Sequence, residues 1–131
     1  MTGTPDQPDA TADQLAEVVA FAMDCARQGE TELLARYLEG GFPVDHPDPD
    51  GNTVLMLAAY HGHADTVAVL LEHGADPDRL NARGQSPLAG AIFKGADDVV
   101  RRLLAAGADL DAGHPTARAT AEMFGRSDLL R

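Results

Sequence analysis

The chain repeats itself at an interval of 33 residues, and this period limits its fold more than any other feature. The segment LLEHGADPD (70–78) returns as LLAAGADLD (103–111), and AAYHGHAD (58–65) returns as AIFKGADD (91–98). The repeated positions are glycines that suit turns and leucines that suit a core. The spacing therefore predicts tandem structural units that stack on one another.

The units extend towards both ends of the chain. A weaker and shorter fourth copy, 116–131, aligns with 86–101 at an offset of 30. At the start, Pro5 and Pro8 lie among polar residues, which predicts a disordered leader over 1–10. We therefore expect one domain over 11–131, divided into units at about 15–47, 48–80, 81–113 and 114–131.

Each unit carries the signals of two short helices. In the second unit, Thr53 is placed to cap a helix that runs to about His61. A second helix is predicted over about 64–73, and Gly74 suits the left-handed residue that follows it. The third unit begins with Ser86-Pro87, a cap followed by proline at the first helical position. Helices this short are marginal alone, so neighbouring units must cover each other's apolar faces.

The first unit has a different start. Thr11 with Gln14 has the pattern of a capping box, which predicts that a first helix begins there and runs to about Gln28. Within that helix Cys25 aligns with Ala58 and Ala91, two alanines predicted to face inward. Cys25 is therefore predicted to be a small core residue and not a nucleophile.

The repeated pattern G-x-T-x-L-x-x-A-A-x-x-G-H, followed by V-x-x-L-L-x-x-G-A-D, resembles the ankyrin repeat. The resemblance covers roughly 15–131 and is most specific over 48–80 and 81–113. It implies an all-α ankyrin repeat solenoid of about four stacked helix-turn-helix units with finger loops, two full repeats between two atypical caps. It also implies β-hairpin fingers, protein binding as the activity, no catalysis and no cofactor. The segments TVLM (53–56) and SPLA (86–89) lack the T-P-L-H histidine that ties repeats together, which puts hydrogen bonding between repeats in doubt.

The resemblance also implies where a partner binds: on the finger tips and on the concave face of the inner helices. On the fingers, position-by-position transfer selects Asp48, Asp50, Asn52, Leu80, Asn81, Arg83 and Gln85. On the inner helices it selects Met56, Tyr60, His61, Ala89, Phe93 and Lys94, with Arg27, Gln28, Met123 and Phe124 in the terminal units. Tyr60, Phe93 and Met123 occupy equivalent positions, which is typical of interface anchors. The alternative for Phe93 and Tyr60 is packing against the next repeat.

His61, His63 and His73 with the acidic fingers offer a second hypothesis, a metal-dependent or acid–base enzyme. A zinc site needs three or four convergent ligands, whereas His61 and His63 have no counterparts in the sister units. His63 is therefore predicted to be structural, at the start of a second helix. Asp48 and Asp50 have the spacing of a calcium loop, but Leu57 stands where a bidentate glutamate belongs. We predict no metal site and no catalytic residue.

The net charge of −11 disfavours nucleic acid and anionic membranes as partners and favours a basic protein. The single cysteine excludes an internal disulfide, and the absence of a signal peptide or a long apolar run predicts a cytoplasmic protein. Arginine outnumbers lysine nine to one, a bias typical of GC-rich bacterial genomes. We expect a monomeric, non-catalytic binding scaffold without a cofactor. A third hypothesis is self-association through the incomplete C-terminal unit.

Overall fold

The computed structural model describes the backbone of residues 6–130 and the side chains of residues 12–130. Within this part of the chain there are seven α-helices and a final 3₁₀ helix. They are α1 (Asp6–Gln28), α2 (Thr31–Glu39), α3 (Val54–Tyr60), α4 (Ala64–Glu72), α5 (Pro87–Lys94), α6 (Asp97–Ala105), α7 (Ala117–Met123) and the 3₁₀ helix (Ser127–Leu130). No helix among the described residues combines the length and the apolarity needed to cross a membrane.

The helices form two layers. An inner layer consists of α1, α3, α5 and α7, and each of these packs against the next inner helix and against the outer helix of its own unit. The outer layer consists of α2, α4, α6 and the 3₁₀ helix. Leu55 in α3 and Leu88 in α5 are both buried, at equivalent positions of successive units. The predicted all-α solenoid of stacked helix pairs is therefore confirmed.

The inner helices begin at the predicted caps. The Thr53 hydroxyl accepts a hydrogen bond from the N–H of Met56 (3.2 Å), and the Ser86 hydroxyl accepts one from the N–H of Ala89 (3.1 Å). Thr116 caps α7 in the same way. Because each hydroxyl satisfies an N–H that the first helical turn leaves without a partner, these residues set the starts of α3, α5 and α7.

The first helix is longer than the sequence indicated. The prediction that it begins at Thr11 is wrong, because α1 already begins at Asp6, and residues 6–10 of the predicted leader form its first turns. Pro8 is compatible with this start because a first-turn residue needs no intrahelical N–H donor. Residues 1–5 lie outside the described part of the chain. At 23 residues, α1 extends well beyond α3, which has seven.

The fingers are the loops that lead from an outer helix to the next inner helix: the first finger (40–53), the second (73–86) and the third (106–116). The first is closed by a backbone hydrogen bond from Asp48 N–H to the Asn52 carbonyl (2.9 Å) and the second by one from Asn81 N–H to the Gln85 carbonyl (3.1 Å). No β-strand occurs between residues 6 and 130, so the fingers are tight turns and lack the paired strands that the resemblance implied.

Hydrogen bonds between units run through these fingers. The Asp45 carboxylate accepts from the N–H of Asp76 (3.0 Å), and Asp78 repeats the contact with the N–H of Asp109 (2.7 Å). The doubt raised by the missing T-P-L-H histidines is thus resolved, because carboxylates on the fingers connect successive units.

Candidate functional site

His63 connects the first unit to the second. Its Nε2 lies 2.7 Å from the carbonyl oxygen of Arg27 and donates a hydrogen bond to it, since a carbonyl only accepts. The ring also lies so close to Gly29 that a Cβ at that position would be 2.7 Å from the His63 Nδ1. His63 is the residue that precedes α4. The prediction that His63 is structural is confirmed.

Replacing His63 with alanine is expected to lower the free energy of unfolding by about 1 kcal/mol, because one hydrogen bond between units is lost. His61→Ala is the matched control, since the His61 ring lies on the surface with its edge towards Tyr60. Urea denaturation of both variants measures the difference. Equal effects at the two positions would show that the bond from His63 to Arg27 contributes little.

The histidines do not converge on a metal or an acid–base site. The ring centres of His61 and His63 are 6.5 Å apart, and the His73 Nδ1 lies 2.9 Å from the carbonyl of Val69 in its own helix. Among the described residues, no group of three His, Cys, Asp or Glu side chains is arranged to hold a metal. Burial lowers the pKa of His61, and the positive charges of His63 and of nearby basic side chains lower it further. This geometry provides no support for the enzymatic hypothesis.

Cys25 belongs to the core, as its alignment with two alanines predicted. Its side chain is 3% exposed. Burial raises the pKa of the thiol, and the negative charges of Glu30 and Asp24 raise it further. A buried thiol that resists ionisation is a poor nucleophile, because the thiolate is the reactive form.

Two of the predicted finger contacts shape the finger turns themselves. The Asp48 Oδ1 accepts hydrogen bonds from the N–H groups of Asp50 and Asn52, both at 2.9 Å. In the second finger, the Asn81 Oδ1 accepts from the N–H groups of Arg83 and Gln85, both at 3.0 Å. The same turn is therefore built at both positions 33 residues apart, and the calcium-like spacing around Asp48 is that of a turn.

Side-chain amides then join the two fingers. The Asn81 Nδ2 donates to the Oδ1 of Asn52 (2.9 Å) and to the Oε1 of Gln85 (2.7 Å). The predicted finger residues thus fall into two groups that the sequence did not separate. Asp48, Asn52, Asn81 and Gln85 hold the turns and each other, whereas Asp50, Leu80 and Arg83 are exposed at the tips.

The predicted concave-face residues also divide into two groups. Met56 and Ala89 are buried, at 5% and 7% exposure, so they form a floor. Tyr60, Phe93 and Met123 are 38%, 57% and 71% exposed. Lys94 places its ammonium group 4.9 Å from the centre of the Tyr60 ring, a cation–π contact.

A groove of about 360 Å³ runs along these inner helices. This central groove is lined by Met56, Tyr60, Ala89, Phe93, Met123 and Phe124, together with Pro115 from the third finger. The rings of Phe93 and Phe124 meet edge to face with their centres 5.6 Å apart. Pro115 was missed because the offset between units falls from 33 to 30 at this finger, so it has no aligned partner.

A second groove, of about 630 Å³, lies between α1 and the first finger. We call it the N-terminal groove. Its lining residues are Ala12, Leu15, Ala16, Val19, Ala20, Met23, Asp24 and Arg27 on α1, and 46–50 on the finger. Of these, only Arg27, Asp48 and Asp50 had been predicted to contact a partner. The helical spacing of the α1 residues was a usable signal, but their position beside the finger depends on the tertiary structure.

Stacked helix pairs with projecting fingers define a helical repeat protein of the solenoid class. The family model described as ankyrin repeats (three copies) matches residues 22–114, well over half of the chain. The chain belongs to the ankyrin repeat family. Repeats of this family are generally protein–protein interaction modules and are typically non-catalytic. The comparison with curated proteins gave no match.

Proposed function

We propose that this protein is a non-catalytic scaffold that binds a partner protein through its finger tips and the concave face of its inner helices. The observation that carries the proposal is the exposed row of Tyr60, Phe93 and Met123. Neighbouring apolar residues on the same helices, such as Leu55 and Leu88, are fully covered. Large side chains that a fold leaves exposed together mark interaction surfaces.

The alternative, that Phe93 merely packs against the next repeat, accounts for only part of its surface. Phe93 contacts the Phe124 ring and still remains 57% exposed. Tyr60, one unit earlier, is also partly exposed while it lies beneath Lys94. Rigid aromatic side chains that keep an accessible face are suited to act as binding anchors.

The finger tips continue this surface. A shallow groove of about 310 Å³ lies between the first two fingers and α3, and its lining includes Asp50, Arg83, Tyr60 and His61. Tyr60 also lines the central groove. Because the two grooves share this residue, a partner seated on the aromatic row also reaches the finger tips.

Charge supports a basic partner. With a net charge of −11, the chain attracts cationic proteins, and we expect their association to weaken as salt is raised. The same charge opposes association between copies and favours a monomer. A cytoplasmic location is part of the proposal, since the single cysteine forms no internal disulfide.

The test is the double substitution Tyr60→Ala/Phe93→Ala. It is expected to weaken binding of the native partner by about 2 kcal/mol, roughly 30-fold, because interface aromatics contribute energies of this size. Affinity is measured by calorimetry with a partner captured from the native cell extract, and circular dichroism checks that the variant is folded.

The chain offers a matched control. Phe21 and Tyr37 form another phenylalanine–tyrosine pair, stacked with ring centres 5.4 Å apart, and Tyr37 lies on the outer helix α2. Phe21→Ala/Tyr37→Ala removes the same atoms away from the central groove and is expected to leave partner affinity unchanged. A folded Tyr60→Ala/Phe93→Ala variant with native affinity would contradict the proposed surface.

A further inference from the structure

One face of α1 is apolar although little of this chain covers it. The residues are Ala12, Leu15, Ala16, Val19, Ala20 and Met23, whose spacing places them along one side of a helix. Val19 and Met23 are buried, but the N-terminal part of the stripe is open, and Leu15 is 42% exposed. The reason is length: α1 has 23 residues and its inner neighbour α3 has seven.

The dimensions of this stripe suit a helix. From Ala12 to Met23 the stripe is about 16 Å long at 1.5 Å per residue, or three helical turns. Ala12, Ala16 and Ala20 recur every four residues, and small side chains in such a row allow a second helix axis to approach to about 8 Å. The first finger forms the other wall of the N-terminal groove with 46–50.

The rim of the groove is acidic. Asp13, Glu17 and Asp24 are exposed, and helical spacing places them along one flank of the apolar stripe. Asp48 and Asp50 add carboxylates from the first finger. Arg27, the one arginine or lysine that lines the groove, forms an ion pair with Asp24 at 2.8 Å.

This combination selects the occupant. An apolar floor favours a helix with an aliphatic stripe, and an acidic rim favours lysine or arginine on both sides of that stripe. A second copy of this chain is disfavoured because each copy carries a net charge of −11. We infer that the N-terminal groove docks a basic amphipathic helix of a partner protein, between α1 and the first finger. The inference rests on the proposed function only in taking the occupant to be a protein.

The probe is a synthetic, fluorescently labelled helical peptide of about 15 residues, with leucines along one face and lysines on both flanks. Titrated with the full chain, it is expected to bind saturably with one-to-one stoichiometry, and more weakly as sodium chloride is raised. A matched peptide with glutamate in place of every lysine is expected to bind at least about tenfold more weakly. In NMR spectra of the labelled chain, the largest shift changes are expected at 12–27 and 46–50.

Charge reversal in the chain locates the site. Glu17→Lys/Asp50→Lys is expected to weaken peptide binding by about tenfold or more, because like charges then face each other across the groove. Glu39→Lys/Glu72→Lys alters the net charge equally, on exposed positions of α2 and α4 in the outer layer, and is expected to change the affinity by less than about twofold.

Four results would overturn the inference: no saturable binding, equal binding of the acidic peptide, equal weakening by the two double variants, or shift changes centred on Tyr60 and Phe93. The test is separate from that of the proposed function, since Tyr60→Ala/Phe93→Ala is expected to bind the peptide normally. Loss of native-partner affinity in that variant together with normal peptide binding would support both sites. Retained native-partner affinity would contradict only the concave-face proposal.

Discussion

Replacing Leu88 with alanine is expected to lower the free energy of unfolding by about 3 kcal/mol. Leu88 is 1% exposed and lies in α5, the inner helix that packs against α3 on one side and α7 on the other. A helix held on both sides cannot move to fill the space left by the deleted side chain. The cavity cost therefore adds to the lost apolar burial.

Chemical denaturation of the two proteins measures this effect. Because each unit depends on its neighbours for a buried face, the whole transition is expected to shift to lower denaturant concentration. Leu80→Ala is the control, since Leu80 is 39% exposed on the second finger and its loss should cost less than about 0.5 kcal/mol. Comparable losses in the two variants would contradict the assignment of Leu88 to the shared core.

Gly51→Ala is the second large effect, also expected at about 3 kcal/mol. Gly51 has φ +79°, a left-handed conformation that costs other residues roughly 1–2 kcal/mol. An added Cβ would also lie 2.6 Å from the backbone nitrogen of Ala82 in the next finger. That nitrogen donates to the Asp50 carbonyl (3.0 Å), so relieving the clash would stretch a hydrogen bond between fingers.

Gly84→Ala separates the two causes. Gly84 occupies the equivalent place in the second finger with φ +75°, but an added Cβ would meet nothing within 4 Å. The third finger contacts Gly84 at its carbonyl, which accepts from the N–H of His114 (2.9 Å). Gly84→Ala is therefore expected to cost only about 1 kcal/mol, the conformational part. Equal losses in thermal unfolding of the two variants would show that the approach of Ala82 is unimportant.

These contacts matter for binding because they hold the finger tips in place. Asp50 lies between a turn ordered by Asp48 and a backbone hydrogen bond to Ala82. Arg83 lies in the corresponding turn ordered by Asn81. A partner that contacts these tips therefore meets loops that are already ordered, which reduces the entropic cost of association.

The parts of this structure that sequence reasoning predicted depend on short-range interactions. Thr53 and Ser86 cap helices through N–H groups three residues away, and the leucine spacing that places Leu55 and Leu88 inside is a property of one helix face. His63 was recognised because its sister positions differ from it. By contrast, the start predicted at Thr11 was wrong, because a capping pattern does not exclude an earlier start in a segment that tolerates helix.

The repeat by itself therefore determined the stacked helix pairs, their caps and the strip of positions that faces a partner, because each follows from a period of 33 residues and from neighbours in the chain. Only the tertiary structure decided which residues on that strip are available. Met56 lies at the floor while Tyr60 remains exposed, and Asp48 is engaged in a turn while Asp50 is at a tip. The N-terminal groove likewise exists only because α1 extends beyond α3 beside the first finger. Burial and groove formation depend on what a distant segment covers, and no local pattern specifies that.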